Sequence, residues 1–329
     1  MPAFDEVDQV ARDTGFSGVV RVDRRDEVLL SQAYGLADRR FGVPMTPSTR
    51  LAVASGSKAM TALVVMRLVE DGRLSLATTA RSLLGDDLPL VADDVTIEHL
   101  LSHRSGIGDY LDDDAEASAY LMPVSVHRLD TTEAFVPVLD GYPTVFPAGE
   151  QFSYCNGGFV LLALLAERVT GVGYRELVRR TVCRPAGLSS TDFLRSDDLP
   201  GDAATGYVEV DGAWRTNVFH LPVLGTGDGG IYTTADDVHR FWTALFDGRI
   251  VAPSTVSEML RPRHTSEEEG EAYGLGFWLH LNGGGVTLVG SDAGVSFRTD
   301  HHPAEDLTRT VISNTSDGAW PVGRALRGA

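Results

Sequence analysis

The sequence predicts an α/β domain: a central antiparallel sheet flanked by helices and closed by both chain termini, with an all-helical lobe between. Three observations predict it. Strand-like runs occur near the two ends of the chain, whereas residues from about 78 to 205 carry short helical patterns, Asp and Pro, with no strand series. The chain of 329 residues, 43% hydrophobic and 22% charged, has the ordinary proportions of one globular unit with room for an insertion. We therefore read residues 1–329 as a single domain, with an α/β lobe from 1–77 and 206–329 and a helical lobe from approximately 78–205.

Residues 4–14 read as a short helix. Residues 16–23 and 27–38 are β-rich around the charged turn Arg24-Arg25-Asp26, a hairpin by pattern. Pro44 and Pro47 break the chain before Ala54-Ser55-Gly56-Ser57, which opens into an apolar segment. Met60, Leu63, Val64, Leu68 and Val69 stand there at helical spacing, and Asp71-Gly72 stops the helix. Residues 95–108 form a capped short helix ending in a glycine-rich turn. Residues 157–171 form a strongly apolar helix ending at Gly171. The run from Thr233 opens with Thr and Asp capping signals and continues as an amphipathic helix to residue 246. Three strand-like runs follow, at 273–280, 285–290 and 308–314.

A formal net charge of −18 argues against nucleic acid and anionic membrane surfaces as partners. The N-terminal residues lack a basic and an apolar region, and no run is apolar for long enough to span a bilayer, so the expected location is cytoplasmic. Cys155 and Cys183 are expected as free thiols. His301 and His302 are adjacent, which does not suit a metal pair, and neither metal nor cofactor is expected. Asp112 to Asp114 and Glu267 to Glu269 read as solvated surface acids.

Two short constellations carry chemistry. Ser55 lies at a helix start, where unpaired N–H groups collect negative charge, and Lys58 follows on the same face. A hydroxyl beside an amine is the pattern of an activated serine, although Ser-x-x-Lys also serves as an ordinary helix start. Tyr154 and Asn156 alternate in an extended stretch, so that a phenol and an amide face the same way. By themselves they also fit a half-buried aromatic and a helix N-cap.

Together, "ASGSKAMTA", "IEHLLSHRSGI", "PAGEQFSYCNGGFVLLALLAERVTG", "GDGGIYTTADDVHRF" and "YGLGFWL" resemble the serine β-lactamase and penicillin-recognising hydrolase superfamily. The nearest branch is that of class C β-lactamases, D-alanyl-D-alanine carboxypeptidases and family VIII esterases. The resemblance covers most of residues 15–320 and implies a β-lactamase/transpeptidase-like fold. It also implies an acylated nucleophile at Ser55, with Lys58 and Tyr154 moving its proton and Asn156 positioning the substrate and Lys58. His103 would brace its loop. The family's third motif, Lys-Thr-Gly or His-x-Gly on the strand lining the site, is absent in that form. The best alignment places Asp292-Ala293-Gly294 there, with Val295 as second oxyanion donor and Ser291 as the alternative after a one-residue shift. An acid in place of the base disfavours a substrate carboxylate.

The expected function is a serine hydrolase acting on a small ester or amide. Acyl transfer to an amine or alcohol, and β-lactamase or D-Ala-D-Ala carboxypeptidase activity, are the alternatives; a non-catalytic binding protein is the least favoured. Tyr110, Tyr120, Tyr142 and Phe146 are expected near the cleft.

Overall fold

The computed structural model describes residues 4–111, 122, 124–266 and 270–328. Tyr120 and the two acidic runs, Asp112 to Asp114 and Glu267 to Glu269, lie outside them. The architecture is organised around an eight-stranded antiparallel sheet. Its order is His264–Ser266, Glu271–Tyr273, Trp278–His280, Val286–Asp292, Val295–His302, Leu307–Ser313, Gly18–Arg24 and Glu27–Tyr34. The N-terminal strand Gly18–Arg24 pairs along its whole length with Leu307–Ser313, from Gly18 opposite Ser313 to Arg24 opposite Leu307. Both ends of the chain therefore close the sheet, as expected.

Each face of this sheet is covered. Val20, Val22, Leu307 and Val311 pack under the terminal helices Asp5–Asp13 and Ala319–Gly328, through Val7, Ala11, Val322 and Leu326. Val19, Ile312 and Phe297 point the other way, into the main core with the helices Lys58–Glu70 and Ala235–Phe246. Alternate residues on one strand thus enter different cores, so both faces of these strands are buried. The Ala235–Phe246 helix is capped by Thr234, whose side chain accepts the Asp237 N–H.

Two strand expectations change. The run at 273–280 is a hairpin of two short strands, Glu271–Tyr273 and Trp278–His280. Gly276 turns it with φ +87°, so close to the Lys58–Glu70 helix that a Cβ there would lie 2.5 Å from Ala62 Cβ. The Val295–His302 strand, in the middle of the sheet, was not anticipated. It carries Arg298, Thr299, Asp300 and His301, whose polar groups find partners inside: Arg298 bonds Asp300 at 2.7–2.9 Å, Thr299 meets Thr310 at 2.9 Å and His301 meets Thr308 at 2.9 Å. Cys155 and Cys183 are both free and buried. Among the described residues no single helix is long and apolar enough to cross a membrane.

Candidate active site

Two nearly fully buried helices supply the centre. The Lys58–Glu70 helix is preceded by a 3₁₀ turn, Ala54–Ser57, so Ser55 sits on a tighter entry than a simple α-helical N-terminus. Ala54 just before it has φ +43°, a left-handed conformation that a side chain adopts at a cost of about 1 kcal/mol. This corner leaves Ser55 half-buried at the cavity wall, while Lys58 behind it is only 2% exposed.

Lys58 Nζ donates to three oxygens: Ser55 Oγ at 2.9 Å, Asn156 Oδ1 at 2.8 Å and the Asp228 carbonyl at 2.9 Å. It also lies 4.9 Å from the centre of the Tyr154 ring. Ser55, Lys58, Tyr154 and Asn156 are thus brought together from two separate stretches of sequence. The Tyr154 ring is held between His103, at 4.2 Å, and Trp278, at 6.4 Å.

His103 braces its loop in the expected way. Its Nδ1 accepts the Cys155 N–H at 3.0 Å, and its own carbonyl accepts the Ser153 N–H at 2.9 Å. Burial, with the charge of Lys58 in support, drives its pKa well below the usual histidine range.

Asn156 is the first residue of the Asn156–Thr170 helix, with Cys155 in the N-cap position. The cap charge comes from Asp109, which the sequence did not single out. Asp109 accepts the backbone N–H groups of Asn156 at 2.6 Å and Gly157 at 2.8 Å, and reaches Asn156 Nδ2 at 3.4 Å. One carboxylate therefore neutralises a helix N-terminus and orients the amide that grips Lys58.

Asp228 is the second unforeseen residue. It belongs to the glycine-rich loop 225–230, where Gly227 has no room for a side chain: a Cβ would overlap the Phe159 carbonyl oxygen. Thr61 donates to the Gly227 carbonyl at 2.5 Å, pinning the loop between the two core helices. The Asp228 carboxylate lines the cavity and accepts a hydrogen bond from Tyr110. Burial raises its pKa, against the opposing pull of Lys58 and Tyr110.

The strand opposite Ser55 corrects the alignment of the third motif. The glycine pressed against the serine turn is Gly290: a Cβ there would overlap the Val53 carbonyl oxygen and lie 3.0 Å from Gly56 N. Gly294 instead turns the hairpin between Val286–Asp292 and Val295–His302 with φ +71°, its N–H bonded to Ser316 Oγ at 2.9 Å, and is not part of the cavity lining. Ser291, Asp292 and Val295 do line the cavity. With the glycine at 290, the position two residues before it is Leu288, buried in the main core, so no side-chain cation stands there.

The cavity beside Ser55 has about 820 Å³ of empty space, its open mouth included. Tyr110 lines it; Tyr142 and Phe146 do not. No group of three or more His, Cys, Asp or Glu side chains suited to a metal ion occurs among the described residues.

Comparison with known proteins identifies the family. Esterase EstB of Burkholderia gladioli is 30% identical over 304 residues, 82% of this chain and 76% of its own. A D-aminopeptidase of Brucella anthropi is 30% identical over 326 residues, 95% of this chain and 58% of its own. The crystal structure of a penicillin binding protein from Bacillus halodurans superposes with a TM-score of 0.91 at 32% identity, covering 98% of this chain and 99% of that one. The chain spans 65% and 60% of the length of two further curated relatives. The Beta-lactamase family profile matches residues 4–327, and the chain belongs to that family of serine hydrolases.

Proposed function

We propose that the protein is a serine hydrolase that forms an acyl-enzyme on Ser55 from a small ester or amide, favouring neutral or positively charged substrates over carboxylates. The observation that carries this reading is the set of three acceptors around Lys58 Nζ. Two of them, an amide oxygen and a backbone carbonyl, have no proton to give. As the ammonium, Lys58 donates to all three oxygens; as the neutral amine that serves catalysis, it keeps its two hydrogens on the Asn156 and Asp228 oxygens and turns its lone pair to the Ser55 hydroxyl. A proton leaving Ser55 then has an acceptor in place without any movement of the lysine.

As Ser55 Oγ bonds to the substrate carbonyl carbon, its proton passes to the Lys58–Tyr154 pair, and the carbonyl oxygen becomes an oxyanion. The backbone N–H groups of Ser55 and Ser291 are the donors we assign to it, because Gly290 brings the second strand against the serine turn. Tyr154 returns the proton to the departing alcohol or amine as the carbon–oxygen or carbon–nitrogen bond breaks. Water then attacks the acyl-enzyme, giving its proton to the same pair, and Ser55 regains its own as the acid leaves. Asn156 holds both the lysine and the acyl portion. Asp228 and Asp292 in the cavity wall disfavour a substrate carboxylate.

Intact-mass spectrometry with a small activated ester and, separately, a penicillin tests the proposal, with Ser55→Ala as control. A Ser55-dependent adduct or turnover with the ester is expected. Ester turnover that survives Ser55→Ala refutes the nucleophile, and a stable penicillin adduct refutes the bias against carboxylates.

A further inference from the structure

Eight buried side-chain polar atoms in the described residues have no hydrogen-bond partner, and three of them belong to residues lining the catalytic cavity: Ser196 Oγ, His220 Nδ1 and Thr226 Oγ1. Folded proteins pair nearly all such atoms, because an unpaired one keeps its desolvation cost. The three residues come from adjoining segments, joined where the Ser196 N–H bonds to the Val223 carbonyl at 2.9 Å. Leu111, Met122, Leu194 and Leu221 line the same cavity and supply an apolar surface.

We propose that Ser196, His220 and Thr226 form a subsite for an uncharged hydrogen-bonding group, a hydroxyl or carboxamide, carried on the acyl part of the substrate beyond an apolar stretch. The inference rests on the acyl-enzyme reading above and names the acyl class it serves. A hydroxyl or amide both donates and accepts, as do the two side-chain hydroxyls, and the ring nitrogen adds a third partner. None of the three atoms is exposed to the cavity in the unliganded protein, so the subsite opens only when the Ser196 and Thr226 hydroxyls and the His220 ring rotate about their Cα–Cβ bonds to meet the ligand. A carboxylate would meet Asp228 and Asp292 in the same wall.

The test compares 4-nitrophenyl hexanoate with 4-nitrophenyl 6-hydroxyhexanoate. The wild-type enzyme is expected to prefer the hydroxylated ester about tenfold or more in kcat/KM, since a site that leaves polar groups unpaired rejects the plain chain. In Thr226→Val and Ser196→Ala the ratio of the two kcat/KM values should fall about tenfold. The unliganded Thr226→Val protein should keep or raise its Tm, because an unpaired hydroxyl is replaced by a methyl of the same shape.

Equal kcat/KM for the two esters, or a lowered Tm with the ratio unchanged, overturns the subsite. Calorimetric binding of hexanamide and 6-hydroxyhexanamide to Ser55→Ala tests the subsite without turnover. Tighter binding of the hydroxylated amide supports the subsite even if neither ester is hydrolysed, an outcome that would refute the proposed function alone. Equal binding refutes the subsite whatever the catalytic result.

Discussion

Replacing Asp109 by Ala separates the support of the site from its chemistry. The carboxylate holds two backbone N–H groups at the start of the Asn156–Thr170 helix, at 2.6 and 2.8 Å, and contacts the Asn156 amide. Loss of a helix cap costs about 0.5–2 kcal/mol, and hydrogen bonds to a charged group about 1.5–3 kcal/mol each. These overlap, so the expected destabilisation is about 2–4 kcal/mol. An unfolding entropy of about 2.1 cal/mol/K per residue makes each kcal/mol worth about 1.5 °C in a chain of 329 residues, giving a Tm about 3–6 °C lower. Calorimetry measures that fall. Because the same carboxylate steers the amide that grips Lys58, kcat/KM for a small ester should drop about 10–100-fold while the protein is still folded. Asp109→Asn keeps the shape and one acceptor and should lie between the two. A Tm within about 1 °C of wild type together with full activity would refute the claim that Asp109 organises Asn156.

Three further outcomes follow from the geometry. Gly290→Ala forces a methyl into the Val53 carbonyl and should cost about 1–3 kcal/mol in a denaturant melt and at least about tenfold in ester turnover; a variant with normal kcat would place the serine turn elsewhere. His301, stacked on Trp242 and Phe246, has its pKa pushed down to about 4, mainly by burial. The unfolded chain takes up that proton near pH 6.5 and the folded one only near 4, so stability falls as pH drops between these values, by about 3 kcal/mol from this group. Urea melts at pH 7 and pH 4.5 read the loss, and His301→Gln should reduce it. Burial pushes the Cys155 thiol well up and the Cys183 thiol to about 12, so iodoacetamide should modify neither before the protein unfolds.

The residues gathered around Lys58 were legible because their order is local: three positions on a helix entry and two across an extended step. Asp109 and Asp228 were not. Asp109 acts on a helix start 47 residues away in sequence, and Asp228 on a lysine 170 residues back, so neither has a spacing to read. The third motif misled for a different reason. Gly290 and Gly294 both punctuate one short stretch, and only the contact of the strand with the serine turn tells a close-approach glycine from a hairpin glycine. The Val295–His302 strand was hidden by its own polar residues, since a charged run reads as surface until Arg298 and Asp300 are seen paired beneath the terminal helix and beside Thr287. The sheet closed by the two chain ends and the main helices followed from runs of apolar residues and their stops, which is information the chain carries locally.

The pairing of Gly18–Arg24 with Leu307–Ser313 has a consequence for biosynthesis. An early strand of the ribosome's product has its central neighbour almost three hundred residues downstream, so the two halves of the sheet stay apart until residues 307–313 have been made. Val286–Asp292, the wall facing Ser55, is also made late. The nascent chain should therefore carry a serine turn without its opposing wall until residue 286 and those after it have been made, and contacts of such long range fold slowly. A translation-arrested chain ending at about residue 280 should bear Ser55 and Lys58 without the Val286–Asp292 wall and leave a small ester unhydrolysed.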